Sequence, residues 1–167
     1  MDLIPVASSV IKFLLGWLPP FVLRWYYTPE RLSQLIYVDL MPRQESAYLN
    51  LAPAADFRVA MQVINLSPFL VELDRAVIHV NCGTSPLEAT NLERRKIQAG
   101  EVASVHFSNV IPDSHAKQII QNANGSPGGI DGVFEFNCRV QHFTRRVPYL
   151  SGIQFTKVNA HLRPSDA

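Results

Sequence analysis

The side chains able to do chemistry in this 167-residue chain are few and scattered. Histidines stand at His79, His106, His115, His142 and His161, with no HxH or HExxH pattern and no cysteine at ligand spacing. Zinc needs three or four such donors converging on one point, so no metal site is expected. His79, His106 and His142 fall on outward positions of β-patterned stretches and could meet only on neighbouring strands, about 5 Å apart. A nucleophilic serine needs a strained strand-to-helix elbow; no GxSxG occurs, and Gly125-Ser126-Pro127-Gly128 lacks that setting. Gly128-Gly129 is no phosphate loop, because neither GxGxxG nor GxxxxGK is present. Glu72 and Asp74 share one strand face, as solvated carboxylates do. No catalytic or cofactor-binding residue emerges, no cofactor is expected, and the chain does not read as an enzyme.

Cys82 and Cys138 lie 56 residues apart, a spacing compatible with an inter-sheet bridge in an immunoglobulin-like domain. Both tryptophans precede Cys82, however, so the tryptophan that packs on such a bridge is missing. Cys82 also falls in a turn and Cys138 on an inward face, so free thiols are expected. Two cysteines are too few for a disulfide-dense scaffold.

Composition bounds the function further. Hydrophobic residues make up 47% and charged ones 17%, which suits one packed domain and excludes a disordered chain. Fifteen Lys and Arg against fourteen Asp and Glu leave a charge of +1, too little for a general grip on nucleic acid. Two basic clusters remain, Arg94-Arg95-Lys96 and Arg145-Arg146. Near a membrane they are candidate contacts for anionic headgroups, each charge contributing about 1 kcal/mol; otherwise they keep loops soluble. Nucleic-acid binding would interleave aromatics with them, and only Phe143 and Tyr149 lie near the second cluster. Asn65-Leu66-Ser67 and Asn124-Gly125-Ser126 match the glycosylation pattern, each followed by proline.

Residues 3–23 carry one charge, Lys12. As one helix they would rise roughly 31 Å, about a hydrocarbon core. Pro19-Pro20 interrupts that helix, so a clean one reaches at most Leu18, roughly 24 Å. Arg24, Trp25, Tyr26 and Tyr27 follow, residue types that favour the membrane boundary. A signal peptide fits poorly, with no basic run before the segment and no small-x-small site after it. A kinked anchor fits better, through Val10, Phe13, Leu14, Trp17, Leu18, Phe21, Trp25 and Tyr26; a helix packed on protein is the alternative. Arg24 and Arg31 on the C-terminal side place the rest in the cytoplasm by the positive-inside bias.

Thr28-Pro29-Glu30 reads as a helix start, with Leu32, Leu35 and Ile36 on one face. IYVDLM and AYLNL are short β-prone runs. Phe57, Val59, Met61 and Val63 alternate with polar or small residues, as do Ala103, Val105 and Phe107, and Phe134, Phe136, Cys138 and Val140. Val71 and Leu73 share a face, Ala76, Ile78 and Val80 fall on the other, and the slip at Asp74-Arg75 predicts a bulge or a change of sheet. Ala116, Ile119, Ile120 and Ala123 predict a helix after Pro112, and 152–162 predicts a last strand that slips phase after Phe155. The pattern predicts a mainly β fold: an antiparallel immunoglobulin/fibronectin-like β-sandwich with an N-terminal apolar helix and one short inserted helix.

The stretch VINLSPFLVELDRAVIHVN, followed by IQAGEVASVHF, resembles the late embryogenesis abundant type 2 domain, also called the water-stress and hypersensitive-response domain. Asn65, Pro68, Val71 and Leu73 match its first element, and Gly100, Val105 and Phe107 its second, over about residues 57–110. Leu66 stands where the usual proline would be, and the 112–123 helix has no counterpart. The resemblance implies a sandwich without catalytic residues, often behind a membrane anchor, with roles in binding or stress protection.

The expected organisation is an apolar membrane-associating or interface segment at 1–27, a helical linker at 28–33, a β-sandwich at 34–163 and a tail at 164–167. The expected function is a membrane-tethered binding module for a protein or lipid partner. The alternative is a structural subunit of a homo-oligomer or coat, with the apolar segment as the protein interface.

Overall fold

The computed structural model describes residues 18–42, 47–52, 54–82, 85–121 and 128–159. Two short helices, α1 (Pro20–Tyr26) and α2 (Pro29–Gln34), lead into β1 (Ile36–Leu40), β2 (Ala47–Asn50), β3 (Asp56–Asn65), β4 (Val71–Cys82), β5 (Ser85–Asn91), β6 (Arg95–Ile97) and β7 (Val102–Val110). Helix α3 (Asp113–Gln121) precedes β8 (Gly128–Cys138), β9 (His142–Ile153) and β10 (Thr156–Val158). Thr28 caps α2 as its sequence predicts, its hydroxyl accepting from the Arg31 amide at 3.4 Å.

The chain is mainly β, in two sheets. In the first, β3 is the spine: β1 and β2 lie end to end along one edge, β7 along the other, all antiparallel, and β10 adds in parallel to β2. In the second, β4 is the spine, with β5 and β6 on one edge and β8, then β9, on the other. The inner faces share one core, to which Phe57, Met61 and Phe107 contribute from the first sheet and Leu73, Phe134 and Phe136 from the second. Phe107 meets Phe134 edge-on across the layers at 5.9 Å, and Phe136 stacks on Phe143 at 5.5 Å.

The phase slip in β4 has a simple outcome. Pairing with β8 passes from Leu73–Phe136 to Arg75–Glu135, leaving Asp74 as an extra residue. The strand stays in its sheet, and the bulge returns Ala76, Ile78 and Val80 to the buried face that Val71 and Leu73 occupy. The two-face expectation is corrected: one inserted residue cancels the slip. The end of the chain also differs from its pattern. β9 occupies 142–153, where Pro148 obscures the alternation; the sheet tolerates it because β9 pairs only with β8 among the described residues. The chain then leaves this sheet at Phe155 and joins the other as β10, the physical origin of the second slip.

One edge of each sheet is tied to the other by side chains. Arg95 Nη1 donates to the Ser104 carbonyl at 2.7 Å and Asn91 Nδ2 to the His106 carbonyl at 2.9 Å, both on β7. Asn109 Nδ2 donates back to the Glu88 carbonyl at 2.8 Å. These bonds occupy carbonyls of an edge strand that would otherwise invite another strand.

Asn65, at the end of β3, is fully buried and fully bonded. Its Nδ2 donates to the carbonyls of Phe69, Ile97 and Gln98 at 2.7, 3.0 and 3.1 Å. Its Oδ1 accepts from the Ser67 amide at 3.0 Å and hydroxyl at 2.6 Å. Replacing Asn65 with alanine takes its amide from all three carbonyls; Gln98 still accepts from the Glu101 amide at 3.0 Å and Phe69 from the Ser67 hydroxyl at 3.3 Å, and each group left unsatisfied costs about 1–3 kcal/mol. Urea unfolding of Asn65→Ala is expected to show a loss of about 2 kcal/mol or more with an unchanged slope. A loss below about 1 kcal/mol would mean that water or the backbone replaces the amide.

Candidate functional site

Three surfaces bear on function: the outer face of α1, the basic clusters, and a groove on the first sheet. Val10, Phe13, Leu14 and Trp17 lie outside the described residues. Pro19 is extended (φ −59°, ψ 144°) and Pro20 opens α1, so the break expected at Pro19-Pro20 is present. One side of α1 is docked. Leu23 enters the core, Tyr27 meets Phe69 edge-on at 4.8 Å, Arg24 Nε donates to the Val140 carbonyl at 2.8 Å, and Gln141 Nε2 donates to the Tyr27 carbonyl at 2.6 Å. The other side faces solvent: Trp25 is 83% exposed, Phe21 72%, Tyr26 58% and Leu18 38%. Arg31 sits 5.1 Å from the Tyr26 ring centre and bonds the Tyr26 carbonyl at 2.9 Å, which fixes that ring. Leu66 and Leu70 are exposed on the turn that carries Phe69. No helix among the described residues is long and apolar enough to cross a membrane.

The basic clusters do not merge. Arg95 and Lys96 are on β6 and Arg145 and Arg146 on β9, at opposite edges of the second sheet with β4 and β8 between them. Three strand spacings separate them, about 14 Å. Arg94 faces Asp74 at 3.7 Å, Arg95 is committed to β7, and Arg145 is half-buried, which leaves Lys96 and Arg146 exposed.

His79, His106 and His142 do not converge. His79 sits in the second sheet between Asp131, 2.8 Å from Nδ1, and Glu88, 3.9 Å from Nε2. His106 is on the first sheet, and His142 starts β9. No group of three metal-ligating side chains occurs among the described residues. The Asn65 glycosylation pattern is closed by the burial of its amide.

The cysteines are free. Cys138 pairs with Val71 while Cys82 ends the same strand eleven residues on. That is about 35 Å of strand, far beyond disulfide reach. Burial pushes the Cys82 thiol up to about 11, against a smaller opposing pull from Lys157.

An open groove of about 1120 Å³ lies on the outer face of the first sheet. Strand register sets Thr156, Tyr48, Arg58 and Ser108 in one row across β10, β2, β3 and β7, with Ala60 opposite His106 beside it. A chain of bonds holds the arginine. Asn159, at φ 56°, donates through Nδ2 to Asn50 Oδ1 at 3.0 Å. Asn50 Nδ2 donates to Asp56 Oδ1 at 2.9 Å, and Asp56 Oδ2 accepts from Arg58 Nε at 3.1 Å. Alternation already turns Arg58, Ala60, His106 and Ser108 outward; sequence reasoning missed that they meet, because meeting depends on which strands pair.

No family model matches the chain, and no curated protein does. Solved structures give distant likenesses. An X-ray structure of a Northeast Structural Genomics Consortium target shares 13% identity at a TM-score of 0.47, covering 74% of this chain and 89% of its own. A proposed ApaA protein from Bordetella pertussis shares 11% at 0.44, covering 71% and 89%. A proposed late embryogenesis abundant protein, solved in solution, shares 11% at 0.36, covering 92% and 89%. No residue role is transferred from these structures.

The thiols give a direct check. At pH 8 the Cys82 thiolate is about 100-fold scarcer than that of an unperturbed thiol, so alkylation of Cys82 is expected to lag free cysteine by about that factor. The fold keeps Cys82 protonated after the unfolded chain has ionised near 9.0, so its stabilising preference is complete below pH 9 and is lost as pH rises toward 11. Alkylation of Cys82 in the folded protein at the free-thiol rate would contradict this.

Proposed function

We propose that this chain is a non-catalytic, membrane-tethered module whose two sheets form an immunoglobulin- or fibronectin-like sandwich that binds a protein or lipid partner. The observation that carries the reading is the aromatic face of α1. Leu23, Arg24 and Tyr27 hold the helix to the body, while Phe21, Trp25 and Tyr26 point away from it. In sequence these side chains continue the apolar stretch of residues 3–18, whose one charge is Lys12. Tryptophan and tyrosine gain from the headgroup boundary, where a ring is desolvated and a polar tip stays wet. Arg24 and Arg31 on the body side favour a cytoplasmic body, and Lys96 and Arg146 add charge for anionic headgroups. The anchor-before-sandwich order agrees with the resemblance to the late embryogenesis abundant domain.

Flotation of the full chain with liposomes tests this. The protein is expected to float and to resist high salt, because apolar burial is insensitive to screening. Phe21→Ser with Trp25→Ser is expected to weaken partitioning at least 10-fold, since each buried ring contributes about 1.5–3 kcal/mol. A chain that stays at the bottom as a discrete soluble oligomer would overturn the reading in favour of a subunit that buries the apolar segment between copies.

A further inference from the structure

We infer that α1 lies flat in the interface of an anionic bilayer, its axis parallel to the membrane, with only the stripe of Phe21 and Trp25 among the acyl chains. This geometry rests on the membrane-tethered function and sets how the body meets the lipid.

The sides of the helix differ sharply. At about 100° per residue, Phe21 and Trp25 lie within about 40° of each other, and Leu23 lies about 160° from Trp25. Leu23 is buried, whereas Phe21 and Trp25 are open to solvent. Arg24 falls on one flank of the stripe and Tyr26 on the other, with Arg31 held against the Tyr26 ring. An apolar stripe between two cationic flanks fits a helix lying in an interface. Its rings enter the upper acyl region while the guanidinium groups stay level with anionic headgroups.

The body opposes an upright helix. It grips α1 from the side, through Leu23, Arg24 and Tyr27, so the helix sinks along its own axis only by taking its neighbours with it. Those neighbours are polar: the Val140 carbonyl and the Gln141 amide hold the helix, and Arg139 and His142 beside them are exposed. Hydrocarbon offers such groups no partner. Lying flat, the helix presents its outer stripe and leaves these groups in water. Pro19, extended at φ −59° and ψ 144°, breaks helical continuity before α1, so α1 is free to take a direction of its own.

The partners of α1 also orient the body. Phe69 precedes β4 and Val140 joins β8 to β9, and Val71 pairs with Cys138, so both lie at one end of the second sheet. Asn65, bonded to Phe69, marks the same end of β3. That end faces the bilayer. Residues 58 to 65 of β3 span about 23 Å, which leaves Arg58 and its groove in solution.

The test is depth-resolved quenching of single-tryptophan variants of the full chain by lipids brominated along the acyl chain, in vesicles of phosphatidylcholine and phosphatidylglycerol. Trp17→Phe leaves Trp25 as the reporter; Trp17→Phe with Trp25→Phe and Phe21→Trp moves it to position 21. Both reporters are expected at one depth, about 5–10 Å below the headgroup boundary. An upright helix would separate them by about 6 Å. That separation, or vesicle binding with neither reporter quenched, would overturn the flat geometry while leaving the tether in place. A chain that does not float with these vesicles would overturn the tether as well. Arg31→Gln is expected to weaken binding to the anionic vesicles about fivefold and to leave binding to phosphatidylcholine alone unchanged. An equal loss on both would contradict the headgroup-level flank.

Discussion

The structure depends on one buried amide. Asn65 ends the spine of the first sheet, and its side chain reaches the start of β4, the end of β6 and the turn before β7. Its backbone adds two bonds: its amide donates to the Glu101 carbonyl at 3.1 Å, and its carbonyl accepts from Gly100 at 2.6 Å. Gly100 can make that approach because its φ is 81°, a conformation glycine adopts without strain. Asparagine is suited to this place because it donates and accepts at once. An aspartate would set a carboxylate against three carbonyls, and a leucine would remove the amide that joins them.

The function proposed for α1 rests on the same junction. Phe69, whose carbonyl Asn65 holds, is the surface on which Tyr27 packs. Leu66 follows Asn65 directly and donates its amide to the Leu35 carbonyl at 2.8 Å, joining the end of the helical segment to the sheets. The helix is thus seated on a turn that an interior amide has already shaped. Its aromatic face is oriented by packing behind it. At the opposite end of β3 the same economy recurs, with Asn159, Asn50 and Asp56 posing a single exposed arginine.

Much of the fold was legible in the sequence. The alternations at 57–63 and 103–107 lie in strands with one buried face, and Thr28-Pro29 opens a helix. The slip at Asp74-Arg75 announced the bulge; its consequence was not legible, because an extra residue restores a face only if the strand keeps its partner. β9 was hidden by Pro148, which is harmless on an edge and disqualifying elsewhere. Asn65 and Ser67 read as a break in the pattern, and the pattern cannot say that a break is buried. The candidate sites divide the same way. The exposure of Phe21, Trp25 and Tyr26 follows from an aromatic cluster beside two prolines. The row from Thr156 to Ser108 joins residues far apart in sequence and exists only through pairing.

If the buried Asn65 amide holds the end on which α1 sits, this junction opens only when the core opens. Native-state hydrogen exchange of the Gly100 and Ser67 amides and of the Asn65 side-chain amide tests it most directly. These protons are expected to exchange only through the same global opening as the β4 and β8 core amides. Exchange orders of magnitude faster, with β4 and β8 still protected, would show the junction opening on its own and would contradict the account.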